Sequence, residues 1–354
     1  MKVFWIAGEP SGDLQAASLV RALHEANPKM EQAGWGGSQM TAAGMKQWFD
    51  LPGQPFMGFV EVALKVKTIL KLSNQVKKDI QEFGTQVLIL VDYAGFNLRI
   101  AEWAKGKGMR VVYFIPPKIW AWKERRLDAL MQHSDEVLSI LPFEESWYAS
   151  KGEEIHYVGN PLMEKYVDLN HYLPASKKIV LLPGSRVQEI TRLIPVFNAL
   201  AKELTEYTFH VVRAPSVRNR WPKGVLEDNI IIEDREIVEV TQGAEFALTC
   251  SGTASLEIAL LGIPQAVVYK ANAVSLAIAK LLVKVRYMSL PNLIMDQAIV
   301  PEFLQGDVTV KNLRVLIESS PSEQLIDIQR LHSRMGKRSL IKDAVPRILA
   351  LLND

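Results

Sequence analysis

Asp92 stands directly after the apolar run Val87–Val91, a place where a carboxylate facing a cleft can take a proton from an incoming hydroxyl. It can equally fix the turn Tyr93–Phe96 or cap the next helix, because Asp side chains bond readily to nearby backbone. A second acidic loop, Gly8-Glu9-Pro10-Ser11-Gly12-Asp13, follows the run Val3–Ala7. Glu9 and Ser11 are candidate catalytic groups there, with the competing role that Ser11 or Asp13 caps a helix starting near Leu14. Two further loops suit an anion. Pro183-Gly184-Ser185-Arg186 offers a turn, a hydroxyl and a guanidinium that can clamp phosphate oxygens. Ser251-Gly252-Thr253 leads into a helical stretch, where small residues let a ligand approach free N–H groups and the positive end of the helix dipole. Glu257, one turn further on, can accept from a vicinal diol such as a ribose, or stand as a solvated surface residue. Two anion-suited loops in one half of the chain point to a bound diphosphate.

The rest of the composition narrows the chemistry. There is no Walker loop, and no G-x-G-x-x-G follows the first run, which argues against ATP and NAD. Six scattered histidines and a single cysteine, Cys250, provide no pair at metal-ligand spacing, and no G-x-S-x-G elbow supports a serine hydrolase, so no metal and no cofactor are expected. With 41 Lys+Arg against 39 Asp+Glu the net charge of +2 gives no field for nucleic acid. The lone cysteine suits a reducing compartment, the cytoplasm. The first apolar run stops at Gly8 before acidic residues, as a strand rather than a signal peptide does, and no apolar stretch reaches the roughly 20 residues that span a bilayer.

These loops need elements to hold them. Continuous apolar runs rich in β-branched residues occur at Val3–Ala7, Val87–Val91, Val111–Ile115, Val137–Leu141, Ile179–Leu182, Phe246–Cys250 and Ala266–Tyr269. Continuity, rather than alternation, predicts strands buried on both faces in parallel sheets. Helix-period stretches lie between them at Leu14–Ala26, Leu98–Lys107, Ile190–Leu204 and Ala254–Leu261. The alternation, over 354 residues, predicts two doubly wound α/β halves, with a boundary in the Pro-, Asn- and charge-rich segment Gly159–Lys178. A doubly wound sheet binds ligands beyond the carboxyl ends of its strands, where all four loops lie.

Two basic amphipathic stretches remain. Met57–Lys78 mixes Val62, Val66, Ile69, Leu70 and Val76 with Lys65, Lys67, Lys71, Lys77 and Lys78; Val274–Arg286 is similar. Each suits either an anionic membrane surface or a helix packed on its own domain with lysines in water.

In combination, AGEPSGD (7–13), MGFVEV (57–62), VDYAGFN (91–97), IWAW (119–122), LPFE (141–144), LLPGSR (181–186), SGTASLE (251–257) and SLPNL (289–293) resemble the lipid A disaccharide synthase family, in order and through most of the chain. The resemblance implies a GT-B fold, two Rossmann-like domains facing across a cleft. Residues 1–165 would form an acceptor-binding domain, joined by carboxyl-terminal helices at about 335–354, and 166–334 a UDP-sugar-binding domain. It implies inverting transfer from UDP-2,3-diacylglucosamine to 2,3-diacylglucosamine 1-phosphate (lipid X), giving a β-1,6-linked disaccharide and UDP without a metal. Asp92, Arg186, Glu9 and Ser11 would be catalytic. Ser185, Arg186, Ser251, Gly252, Thr253, Glu257 and, by family analogy, Asn292 would bind the donor. Met57, Glu61, Val66, Ile69, Leu70, Trp120 and Trp122 would face the acceptor or the membrane. The acylated substrates imply peripheral attachment to the cytoplasmic face of the inner membrane and favour the interfacial reading of the Met57 segment; a homo-oligomer stays open. Related GT-B transferases, UDP-sugar epimerases and non-catalytic UDP-sugar or lipid binders are the alternatives. The chain departs from the family pattern at Pro10, at Pro116-Pro117-Lys118 before the WAW motif, and at Asn160, where a histidine is usual.

Overall fold

The computed structural model describes residues 1–51, 66–122, 124–166, 176–222, 224, 226–250, 252–271, 286–319 and 323–353. Met57 and Glu61, Ser251, and all but the last residue of the Val274–Arg286 stretch lie outside that set, as do the side chains of Val66 and Trp122. The chain divides into two compact units, Met1–Glu164 with Lys337–Asp354, and Lys165–Gly336.

The first unit holds the strands β1 (Lys2–Ala7), β2 (Glu31–Trp35), β3 (Lys46–Phe49), β4 (Val87–Val91), β5 (Arg110–Phe114), β6 (Glu136–Ser139) and β7 (His156–Tyr157). They form one parallel sheet in the order β3-β2-β1-β4-β5-β6-β7. The second unit repeats the scheme with β8 (Lys178–Leu182), β9 (Thr208–Val212), β10 (Ile230–Glu233), β11 (Phe246–Thr249), β12 (Gln265–Tyr269) and β13 (Glu302–Leu304), in the order β10-β9-β8-β11-β12-β13. Both are doubly wound Rossmann-like sheets, as the alternation of runs predicts. Each predicted run is a strand to within two residues at either end. All five residues of β4 are buried, which is why that run is continuously apolar.

Strand order reverses between β1 and β4 in the first sheet and between β8 and β11 in the second, and such switch points are where these folds bind ligands. Register sharpens the point. Ala7 pairs with Val91 and Val91 with Phe114, so Gly8, Asp92 and Ile115 leave the sheet at one level. Leu182 likewise pairs with Thr249, which sets Pro183 beside Cys250.

The helices begin earlier than the apolar period predicts. The first runs over Pro10–Ala26, four residues ahead of Leu14, because Pro at the first helical position has its φ preset and no N–H to satisfy. Glu9 occupies the cap position without a side-chain bond, and Ser11 lies in the first turn, so neither Ser11 nor Asp13 caps this helix. Asp13 is buried and caps a different one. Its carboxylate accepts the backbone N–H groups of Gly37 (2.8 Å), Gln39 (3.1 Å) and Met40 (3.1 Å) at the start of the helix Ser38–Ala42. A Cβ at Gly37 would overlap that carboxylate.

The helix Val66–Phe83 presents Val76, Ile80 and Phe83 to the core of the first unit. Ile69, expected on the acceptor or membrane side, also packs against that core, one turn before Leu72, whereas Leu70 is 53% exposed. Buried Asp79 on this helix accepts the Trp35 indole N–H at 2.8 Å. Asn160 is buried too: its Oδ1 accepts the Leu162 N–H and its Nδ2 donates to the Ile140 carbonyl, both at 3.0 Å, capping the helix Pro161–Lys165. After the helix Glu323–Met335 the chain returns to the first unit. There the Leu340 N–H meets Glu164 at 2.8 Å, and the helix Val345–Asn353 lies against Pro10–Ala26.

Because Asp13 gathers three buried donors, Asp13→Ala should lower unfolding free energy by about 2 to 4 kcal/mol, read as a lower urea midpoint, with Asp13→Asn in between.

Candidate active site

In the first unit Asp92 and Tyr93 both adopt left-handed backbone, φ 44° and 48°, and Ile115 does so at the end of β5, φ 61°. Asp tolerates this region; Tyr and above all β-branched Ile do not, so surrounding bonds must impose it. They are present. The Asp92 N–H is shared between the carbonyls of Phe114 (3.3 Å) and Ile115 (3.2 Å). The Asp92 carbonyl accepts from the Tyr113 hydroxyl at 2.6 Å and from Asn97 Nδ2 at 3.0 Å. Asn97, fully buried, also donates to Val91 O at 3.1 Å and reaches Ile6 O at 3.4 Å, tying the ends of β1 and β4 together. The Tyr93 ring lies on Gly8, where a Cβ would overlap ring carbons. The AGEPSGD and VDYAGFN loops are thus one interlocked structure.

This backbone sets the Asp92 carboxyl among charged neighbours. Loss of solvation, then the charge of Glu9, push it up to about 6, against the pull of Lys118 and the Tyr93 N–H. Glu144, buried at 2% exposure, is pushed up to about 7, chiefly by desolvation and with a contribution from Asp92, although Ser139, Trp120 and Lys118 favour its ionised form. Trp120 Nε1 donates to Glu144 Oε1 at 2.7 Å. A carboxyl near 6 at the switch point of a doubly wound sheet is matched to general-base work near neutral pH. Of the expected residues, Glu9 acts on Asp92 through its charge, Trp120 is bonded to Glu144, which feels Asp92, and Ser11 lies in the first turn of the helix Pro10–Ala26. Sequence reading did not single out Gly8, Tyr93, Asn97, Lys118 and Glu144 as site residues. Glu144 was visible only as the last letter of LPFE, and Lys118 only in the Pro-Pro-Lys departure.

The second unit supplies a different surface. Gly184 has φ 107°, and a Cβ there would overlap the Glu189 carboxylate. Arg186 opens the helix Val187–Glu203; its side chain is 55% exposed, with Nη1 3.4 Å from Glu189. Ser185 is exposed beside it. On the neighbouring loop Gly252 adopts φ 130°, ψ −154°, a conformation nearly confined to glycine, and among the described residues nothing lies within 4 Å of where a side chain would point. Thr253 then starts the helix Thr253–Leu260, whose first N–H groups face that space.

Glu257 and Asn292 are placed differently from a ligand-facing reading. Glu257 is buried; it accepts from the Tyr166 hydroxyl and lies 3.8 Å from Lys165 Nζ, and burial holds its carboxyl above the usual carboxylate range. Asn292 is fully buried. It donates to Val300 O and Glu302 Oε1 and accepts from the Val300 N–H, all at 2.8 Å, pinning the helix Leu290–Met295 to the start of β13. Both side chains are committed to the fold. Among the described residues no group of three His, Cys, Asp or Glu side chains is arranged to hold a metal ion.

The profile of the family described as Lipid-A-disaccharide synthetase matches residues 3–342. The chain belongs to that family. It is 33% identical to the lipid-A-disaccharide synthase of Myxococcus xanthus, covering 99% of this chain and 97% of that protein. It is 36% identical to the synthase of Syntrophus aciditrophicus, covering 86% and 84%. Among solved structures, the glycotransferase of kitacinnamycin superposes with a TM-score of 0.71 at 13% identity over 99% of each chain. The UDP-GlcNAc 2-epimerase of Neisseria meningitidis does so with 0.60 at 15% over all of both. Likeness at such identity establishes the fold, GT-B. Family membership makes the chain a glycosyltransferase that forms the lipid A disaccharide.

An acid whose folded pKa of about 6 lies above its ordinary 3.8 costs stability that is absent below pH 3.8 and complete above pH 6. Asp92→Asn, which suits the left-handed backbone, should therefore be more stable than wild type at pH 7.5, by about 1 kcal/mol given the partial exposure of the side chain, and no more stable near pH 3.5. Thermal or urea midpoints at the two pH values check this.

Proposed function

We propose that this family member transfers 2,3-diacylglucosamine from its UDP conjugate to the 6-hydroxyl of 2,3-diacylglucosamine 1-phosphate with inversion, forming the β-1,6 bond and releasing UDP. The supporting observation is Asp92, held by strained backbone at the switch point of the first sheet with its carboxyl pushed up to about 6. Asp92 takes the acceptor hydroxyl proton as that oxygen attacks C1 of the donor sugar. The C1–O bond to the diphosphate breaks and UDP leaves with the electron pair. Glu9 keeps Asp92 basic through its charge, and Ser11 lies on the adjoining turn to meet the sugar. Trp120 lines the acceptor side. Arg186, Ser185 and the N–H groups at Gly252 and Thr253 take up the charge of the leaving diphosphate, the task a metal performs in other transferases. Glu257 and Asn292 hold the donor-side helices in place.

UDP release should depend on the acylated acceptor. Asp92→Ala should lower kcat about 100-fold or more with circular dichroism unchanged, and full turnover in that variant refutes the base assignment. For the wild type, kcat/KM for the acceptor should fall as pH drops below about 6, where the base becomes protonated. Arg186→Ala should reduce kcat with only a small change at the acceptor.

Among the described residues no helix is long and apolar enough to cross a membrane. The acylated substrates must still be reached, and we place the chain peripherally on the cytoplasmic face of the inner membrane. Leu70 stands outward with Lys71 on the helix Val66–Phe83, an apolar and basic pair suited to anionic lipid. Leu70→Glu should weaken cosedimentation with phosphatidylglycerol vesicles several-fold; equal binding by the variant removes Leu70 from the contact.

A further inference from the structure

Glu144 is an expensive residue for the fold to keep. It is 2% exposed in the first turn of the helix Pro142–Ala149, and a carboxylate taken out of water costs several kcal/mol unless every oxygen finds a donor. It finds two. Oε1 accepts the Trp120 indole N–H at 2.7 Å, and Oε2 accepts the hydroxyl of Ser139, which is itself fully buried at the end of β6. The Ser139 Oγ also accepts the Leu141 N–H at 3.0 Å and lies 3.1 Å from the Leu141 carbonyl. Lys118, Asp92 and Tyr148 are the ionisable groups that act on it or feel its charge.

Trp120 is only half-buried, yet its indole N–H is spent on this buried carboxylate. It is nevertheless held from two sides by consecutive residues. Phe143 meets the indole edge-on, ring centroids 5.0 Å apart at 79°, and Glu144 takes the N–H. Ile119, the preceding residue of the short helix Ile119–Trp122, is anchored in the core. A half-exposed indole with its rotation removed by a buried carboxylate, on the loop that also carries Lys118 toward Asp92, is a preorganised wall rather than packing.

We infer that Glu144 is a positioning residue for the acceptor: through Oε1, with Ser139 fixing Oε2, it locks the Trp120 indole in the orientation that receives the acceptor sugar. The inference rests on the reading above that Trp120 lines the acceptor side. It concerns the hydrogen bond and not the charge, which Glu144→Gln separates: the Gln carbonyl can accept from Trp120 while its amide donates to Ser139, whose hydroxyl then turns to the Leu141 carbonyl.

The test is steady-state kinetics of the full chain with both acylated substrates. Trp120→Ala should raise acceptor KM more than tenfold, which tests the acceptor-side reading itself. Glu144→Leu should raise acceptor KM about tenfold, the worth of one lost orienting hydrogen bond, with donor KM within about twofold. Glu144→Gln should recover most of this loss, to about threefold above wild type. Should the Leu variant not fold, Ser139→Ala serves in its place, with a rise of about threefold in the same parameter. If Trp120→Ala raises acceptor KM while Glu144→Leu or Ser139→Ala leaves it at the wild-type value, Glu144 does not position Trp120. Equal losses in the Gln and Leu variants assign the role to charge and overturn the inference. An unchanged acceptor KM in Trp120→Ala fails the underlying reading and takes the inference with it.

Discussion

The hydrogen bonds of the Asn97 side-chain amide are the ones on which the loop carrying Asp92 depends. The amide sits without solvent exposure at the ends of β1 and β4 and gathers the carbonyls of Ile6, Val91 and Asp92. Once those carbonyls are fixed, the Asp92 peptide is drawn into left-handed backbone, with its own N–H directed at the end of β5. Strain of one to a few kcal/mol at such a residue persists only where several bonds over-determine it, and here Tyr113, Asn97, Phe114 and Ile115 do so. The consequence is a carboxylate aimed by backbone, so that in the proposed reaction its placement costs little side-chain entropy.

The two units use one topology for opposite electrostatic purposes. At the first switch point Glu9, Asp92 and Glu144 bring carboxyl groups together in a poorly solvated region, with Lys118 as the partial counterweight, and the ionisation of Asp92 and Glu144 moves toward neutral pH. At the second, Arg186 and a glycine-opened helix start offer positive charge and free N–H groups. The proposed reaction requires both environments, one for a proton acceptor and one for a diphosphate acceptor. Behind each stands a buried polar network: Asp13 and Asp79 in the first unit, Glu257 with Tyr166 and Glu302 with Asn292 in the second. These networks explain polar letters in the motifs that never reach the surface.

Asn160 illustrates how a departure from the family pattern can be absorbed. As the cap of the helix Pro161–Lys165 it uses both ends of its amide, a task for which Asn is among the best residues. The loss of a titratable group at this position is therefore compatible with the local fold.

The fold class was legible because buried parallel strands must be continuously apolar and helices between them periodic; runs such as Val87–Val91 carry that constraint locally. Strands such as Glu31–Trp35 and Lys46–Phe49 escaped notice because they carry Gln, Gly and Lys, and the buried Gln32 is tolerated only since Trp5 and Val20 satisfy it. The sequence by itself determined the four loops that end at the switch points, since strand ends and small or charged residues are adjacent in the chain. Only the tertiary structure decided which carboxylates end at a switch point with a raised pKa and which are bound up in the fold. Asp13 and Glu257 turned inward and Glu144 joined Trp120, because hydrogen-bond partners 24 to 91 residues away, and the solvent they exclude, leave no trace in local spacing.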